Sequence, residues 1–337
     1  MKLKIIHKSK NREMSKFFYL LGIALIIVSC GKDIDLFIPR TNQVPAGDLS
    51  RLTTRLAEDI SGEITYVVSV PCTGDKVFEV DKDLVIAIPR DFVDLAAYPC
   101  TNGFFDIHIT ALDTKGEILI AGIPTLSEGK LIESRIEINL QIKNGLQHVE
   151  LAHGKQISIK VNDPDPRERM ELFYGNNDNT EWIQADNNPD TWDNVQNGEW
   201  IFQDSQSVIT GFGYELLSDS TDWINVDVFL DVPQELRTDV CIELPEEFTN
   251  KNTAVFMVFD DYNSIVYMKG NADAMKFCEP YGSAPIGFNV TFIVISEMGD
   301  DLYLFAKKST TLTPHHTESL DPAKTPYDEI KNYLLGI

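Results

Sequence analysis

The apolar positions along this chain follow two rhythms. Leu49, Leu52, Leu56 and Ile60 recur at three- and four-residue steps, which predicts a short amphipathic helix over Leu49–Ile60. From Ile64 the step drops to two. It predicts strands at Ile64–Val70, Lys76–Val80, Leu84–Ile88 and Phe104–Leu112. Lys115-Gly116 reads as a turn before a strand at Glu117–Ala121. Arg135–Ile142 alternates, with Ile136, Ile138, Leu140 and Ile142 on one face. Asn144-Gly145 is a hairpin signal before Gln147–Leu151, and a turn at Gly154 leads into Gln156–Val161. Eight short strands punctuated by turns predict a β-sandwich of about 100 residues.

Asn162-Asp163-Pro164-Asp165-Pro166 then reads as a stiff linker. A strand at Met170–Gly175 precedes a polar stretch, 176–199. A second strand series follows at Trp200–Gln203, 208–216, 223–230, 238–244, 253–259, 264–269, 287–296 and Leu302–Lys307. The chain closes on a helix signal, with Thr325 as cap, Pro326 in the first turn and Asp328 completing a capping box. Ile330, Tyr333 and Leu334 form its apolar face. The expected fold is all-β: two Ig-like β-sandwich domains in tandem, 48–166 and 167–337, with one short helix at each end.

The first 47 residues obey neither rhythm. Lys2, Lys4, Lys8, Lys10, Arg12 and Lys16 precede an apolar run from Phe17 to Val28, too short to cross a bilayer. That is the pattern of a secretory signal peptide over 1–29. The run ends in Ile27-Val28-Ser29-Cys30, which resembles a bacterial lipobox. The resemblance implies cleavage before Cys30 and lipidation of its thiol and new N-terminus. Residues 30–47 then form a polar tether. Gly31-Lys32-Asp33-Ile34-Asp35 is similar to the export signal of surface lipoproteins of the Bacteroidota, with Ile34 interrupting the acids. The expected address is the outer membrane, lipid-anchored and surface-exposed.

Charge narrows the partners. The 337 residues carry a formal net charge of −23, which argues against nucleic acid because nothing could neutralise a run of phosphates. Loss of residues 1–29 removes six bases and one acid and leaves −28. A chain this acidic is repelled by an anionic membrane surface, so lipid must supply the attachment.

Beyond Cys30 there are four cysteines, Cys72, Cys100, Cys241 and Cys278. An even number in an exported protein suggests disulfides, and four cysteines allow three connectivities. The preferred pairs are the local ones, Cys72 with Cys100 and Cys241 with Cys278. A four-cysteine metal site lacks any CxxC spacing.

Candidate chemistry is sparse. No nucleophile-elbow, zincin or phosphate-cradling motif is present, and no catalytic residue is assigned. Trp182 and Trp192 lie in the polar stretch, where an aromatic face beside Asn and Asp suits a glycan or a partner surface. In strand geometry Trp223, Asn225 and Asp227 share a face, with Ile224 and Val226 on the other. These five are the binding candidates, whereas Trp200 reads as core. Asn176, Asn177, Asp178 and Asn179, with Asp186, Asp190 and Asp193, offer hard oxygens that would suit Ca2+ without any known loop spacing. His148 and His153 with Glu150 are a weaker metal set, as is His315-His316; His108 reads as a cross-strand packing residue.

A family resemblance rests on several segments. They are Ala121-Gly122-Ile123-Pro124-Thr125-Leu126-Ser127-Glu128-Gly129, Leu131-Ile132-Glu133-Ser134, Gly154-Lys155 and Met170 to Gly175. In the second half, Asp222-Trp223-Ile224-Asn225-Val226-Asp227, Leu244-Pro245, Asn252-Thr253 and Ile286-Gly287 join them. Together they resemble a group of Bacteroidota lipoproteins and surface proteins with a ZU-five-like β-sandwich. Glu128 is inserted into the turn of that pattern, and Val226 stands where it has Cys, so any bond made by that Cys is absent. The resemblance implies an interaction module and no catalyst. The expected function is a non-enzymatic envelope or cell-surface binding module for a glycan or protein. The alternatives are a metal-dependent polysaccharide-active enzyme and a purely structural envelope component.

Overall fold

The computed structural model describes residues 47–80, 83–175, 181–185, 195–203, 208–271 and 276–337. The signal peptide, Cys30, most of the tether, Trp192 and the Asn/Asp candidates for Ca2+ lie outside the described residues.

In chain order, α1 (Leu49–Ile64) leads to β1 (Thr65–Pro71), β2 (Lys76–Val80), β3 (Leu84–Ile88) and β4 (Phe104–Leu112). Next come α2 (Lys115–Ala121), β5 (Leu126–Ser127), β6 (Lys130–Asn144), β7 (Gln147–Val149) and β8 (Ile157–Asn162). They are followed by β9 (Glu171–Gly175), β10 (Trp182–Gln184), β11 (Gln196–Gln203), β12 (Val208–Ser218) and β13 (Asp222–Phe229). The next strands are β14 (Arg237–Thr238), β15 (Val240–Glu243), β16 (Thr253–Phe259), β17 (Ile265–Asn271) and β18 (Lys276–Cys278). The last elements are β19 (Ala284–Pro285), β20 (Asn289–Glu297), β21 (Tyr303–Thr311), β22 (His316–Ser319), β23 (Ala323–Lys324) and α3 (Tyr327–Leu335).

The protein is mostly β, in stacked sheets. One sheet runs β1-β4-β6-β13-β9-β10-β5, with β7 beside β6. A second runs β11-β12-β8-β3-β2. Alternation sends Phe105, Ile107 and Ile109 of β4 and Ile136, Ile138 and Leu140 of β6 into one core with Ile86, Ile159 and Leu216 of the second sheet. The sheet of the C-terminal half runs β22-β15-β18-β17-β16-β20-β21-β23. Here β17 pairs β16 at one end and β18 at the other, around a core that includes Val240, Met257, Val266 and Phe292.

A third core joins these layers. β16 is buried at all seven positions. Val255, Met257 and Phe259 face the C-terminal core, while Ala254, Phe256 and Val258 face the helices. Leu52, Leu56 and Ile60 of α1, Ile118 of α2 and Ile330 and Leu334 of α3 fill that layer, together with Phe173 and Trp182 of the first sheet. The helical stripe expected from Leu49 is therefore real, and it runs on to a buried Ile64.

Three expectations are corrected. The boundary at 166 falls inside the first sheet pair: β12 pairs β8, and β13 pairs β6 and β9. Residues 48–166 thus lack strands that complete both of their sheets. The Glu117–Ala121 strand is the helix α2. Thr114 and Glu117 form a reciprocal capping box, and Gly122 ends the helix in the left-handed region at φ 73°. At the C-terminal helix Pro326 occupies the N-cap position, and the Thr325 hydroxyl donates to the Ala323 carbonyl.

The hairpin at Asn144-Gly145 forms, with Asn144 opposite Gln147. Both local disulfides are present, Cys72–Cys100 and Cys241–Cys278. The second joins directly opposed residues of β15 and β18.

Candidate functional site

The site begins with a β-bulge. Val226 of β13 opposes Ile136 of β6, but Asp227 opposes Ser134, so Arg135 is the extra residue. The bulge flips the facing of β6. Ile132 packs among the helices, whereas Ile136 points into the sandwich core. Ser134 and Glu137, on either side of the bulge, therefore end on the helix side of the sheet. Asn225 and Asp227 join them there, because Ile224 and Val226 take the sandwich side.

Arg135 reaches away from the strand pair. Its Nε donates to Asp163 Oδ2 at 2.8 Å and an Nη donates to the Asn162 carbonyl at 3.0 Å. It forms one wall of a polar cleft of about 360 Å3, with Lys115, Glu133, Asp165, Arg167, Tyr214 and Asn263 also lining it. Both halves contribute. The Asn263 side-chain amide donates to the Ser134 carbonyl at 2.9 Å, and the Ser134 amide donates to the Asn263 carbonyl at 3.0 Å. Lys115 Nζ donates to the Phe259 carbonyl and, at 2.8 Å, to that of Asp260. Arg167 pairs with Glu133, and its backbone amide donates to the Tyr214 hydroxyl.

The cleft's ionisable groups are displaced from their ordinary values. Burial raises the Glu133 carboxyl against the pull of Arg167 and lowers the Lys115 ammonium. Burial also raises the Tyr214 phenol. The cleft thus gathers charged and polar side chains, most of them already paired with one another or with backbone carbonyls. A second hollow, of about 420 Å3, is lined by Leu244, Phe248 and Phe277, with Lys251 and Lys276 also on its wall.

Beneath the cleft lies the polar network of the bulge. Ser134 Oγ donates to Asn225 Oδ1 at 2.8 Å, and Asn225 Nδ2 donates to Asp227 Oδ2 at 2.7 Å. Glu137 stands directly opposite Asn225. Asn225, Asp227 and Glu137 are each 0% exposed. Both Glu137 oxygens and Asp227 Oδ1 have no hydrogen-bond partner among the described residues. Burial drives both carboxyls well above their ordinary range; the Ser134 hydroxyl pulls Asp227 part of the way back, while a neighbouring acid pushes each up, Asp227 for Glu137 and Glu133 for Asp227.

The binding candidates named from sequence are therefore placed differently from expectation. Trp223, Asn225 and Asp227 do share a face, but Asn225 and Asp227 are buried there and Trp223 is half-buried against the helix layer. Trp182 is also buried, at 1% exposure, with its ring edge-on to Trp223 at 6.4 Å. Trp200 is core, as its strand position suggested. His148 and His153 are exposed, and His148 lies 3.9 Å from Asp222. His315 bonds Asp239 at 2.6 Å, while His316 is buried against Phe292. His108 lies between Val67 and Gln141 across its two neighbouring strands. Among the described residues no three His, Cys, Asp or Glu side chains converge in a metal-binding group.

Sequence reading did not single out Glu137, Arg135, Arg167 or Tyr214, and it met Glu133 only within a segment of the family resemblance. Ile132 and Ile136 are in phase in the sequence, so alternation carried no signal for the bulge beyond the polar Ser134 between them. The Thr125–Gly129 turn, singled out by the family resemblance, has a structural role. Thr125 is fully buried and its Oγ1 accepts from the Ile265 amide at 2.6 Å, tying the turn to β17. No protein-family model matches this chain, and no curated protein sequence matches it.

Proposed function

We propose that this protein is an exported, lipid-anchored binding module of the outer membrane, displayed at the cell surface, which takes a glycan or a segment of a surface protein. We read its stacked sheets as related to the β-sandwich of the ZU-five-like surface lipoproteins. The observation that carries the binding reading is the polar cleft walled by Arg135, Glu133 and Arg167 from one half and Asn263 from the other. A ligand there touches both halves and spans their seam. Export is supported by the basic head, the short apolar run and Cys30. It is supported too by the two disulfides, which persist in oxidising compartments.

The anchor is tested by Cys30→Ala. The variant is expected in the soluble fraction of lysed cells, with the parent in the membrane fraction. A variant that stays with membranes overturns the lipid anchor. Protease treatment of intact cells is expected to remove the parent from an immunoblot. Protection until the outer membrane is permeabilised overturns surface display.

The cleft is tested by screening surface glycans and envelope proteins for binding, then repeating the hits with Arg167→Met and Glu133→Gln. Affinity is expected to fall about tenfold or more, the loss of one or two charge-assisted hydrogen bonds. Unchanged binding moves the site elsewhere. Turnover of a polysaccharide that stops with a chelator would favour the metal-dependent enzyme instead. A protein with no ligand in such a screen would be a structural envelope component.

A further inference from the structure

The network beneath the cleft holds more acid than it can keep ionised. Glu137 and Asp227 sit on one face of the sheet, on neighbouring strands, in rows one step apart. Neither is exposed to any degree. A carboxylate is an acceptor only, yet three of the pair's four oxygens meet no donor among the described residues, and the fourth takes the Asn225 amide.

Ser134 relieves part of this at Asp227, and the other groups around the pair do not. On β6 they are Ser134 and the acid Glu133, and on β13 Asn225. On β9 the residues opposite are Phe173, opposite Asn225, and Glu171, opposite Asp227, with the Glu171 carboxylate engaged by Gln184 of β10. On β4 the residue opposite Glu137 is the apolar Leu112. The helix layer over this face presents Ile118, Leu119 and Ile120. The cleft's bases are committed elsewhere: Arg167 to Glu133, Arg135 to Asp163, and Lys115 to two backbone carbonyls.

We propose that Glu137 and Asp227 form a proton-holding latch, closed when the pair is protonated and opened when it ionises, which makes the seam between the β halves sensitive to pH. A protonated acid gains a hydroxyl donor that can serve the neighbouring carboxyl oxygens. Two ionised acids would repel each other and also lose solvation. The strain would fall on the bulge, which carries Ser134 and its paired hydrogen bonds to Asn263. The latch goes beyond ligand binding, and its test reads protonation and stability, so either idea can fail alone.

The sign follows from linkage. Unfolded, the two carboxyls titrate at their ordinary values of 4.5 and 3.8; folded, both hold protons to higher pH. Their stabilising contribution is complete below that ordinary range and is lost as pH rises through the folded values. The experiment measures the thermal midpoint of the full chain from pH 4 to pH 9 for the parent, Glu137→Gln, Asp227→Asn and the double variant. The expected result is a parent midpoint that falls, relative to the double variant, as pH rises. Hydrogen exchange corrected for its intrinsic rate should accelerate in parallel over 131–136 and 260–265 in the parent alone. Infrared spectra at neutral pH should contain a protonated-carboxyl band that shrinks in each single variant. Parent and double-variant curves that stay parallel across pH overturn the latch. So does failure of both single variants to fold, because a neutral amide would have replaced a neutral acid of the same shape. A parent midpoint raised by Ca2+ or Mg2+ and restored by EDTA also overturns it, by showing that a cation and no proton balances the pair.

Discussion

Trp182 lies in a strand of three residues and contributes one of the largest fully buried side chains of the described chain. Its setting in a polar stretch suggests an exposed aromatic. The burial comes from Trp223 and the helices packed against it, none of them near in sequence. Trp182→Ala is expected to lower stability by about 3–5 kcal/mol, the usual loss for deleting a buried aromatic. Denaturant unfolding checks this. A variant of unchanged stability that no longer binds a glycan would restore the ligand role. The neighbouring polar residues teach a related point. That Asn225 and Asp227 share the face of Trp223 was legible from strand alternation. That Asn225 and Asp227 are buried was not, since polar side chains usually face solvent. The acids buried there are the exception, and their protons carry the pH dependence argued above.

At the scale of elements, α2 shows where periodicity fails. Ile118-Leu119-Ile120 is a short apolar run, and such a run fits a buried strand or a buried helix turn equally. Local capping decides. The Thr114 hydroxyl accepts from the Glu117 amide, and the Glu117 carboxylate accepts from the Thr114 amide. Thr114→Ala is expected to cost about 1 kcal/mol, measured as a shift in denaturant midpoint at unchanged slope. A shift within error would mean that packing alone holds α2. Gly116 adds a tertiary constraint, since a Cβ there would stand 1.8 Å from the Leu334 carbonyl oxygen of α3. The strands β2, β3 and β4 match their predicted limits because each is an apolar or alternating run of five or more residues between turn signals. β6 outgrew its prediction at both ends, and on its N-terminal side the polar Ser134 interrupts the apolar positions that would have extended it.

For the molecule as a whole, Pro45–Ile337 is one compact unit. The helix layer packs against strands of both halves, and β16 is buried on both its faces. Calorimetry on the oxidised protein is therefore expected to give a single cooperative transition. Two resolved transitions would mean that the halves fold independently, as a tandem joined only by a linker would. Sequence alone set the β class, the Asn144-Gly145 hairpin and the helical stripe from Leu49, and it favoured the two local disulfide pairs without fixing them. Each depends on neighbours in the chain: alternation, a Gly in a turn, or the short loop that a cross-link closes. It could not set the sheet partners of β12 and β13, because pairing across distant strands leaves no local period. Nor could it set the cleft or the acids beneath it. Both arise from a bulge that turns Ser134 and Glu137 to one side and from helices brought over them from opposite ends of the chain. Burial is a property of what packs on top, and only the tertiary structure supplies that.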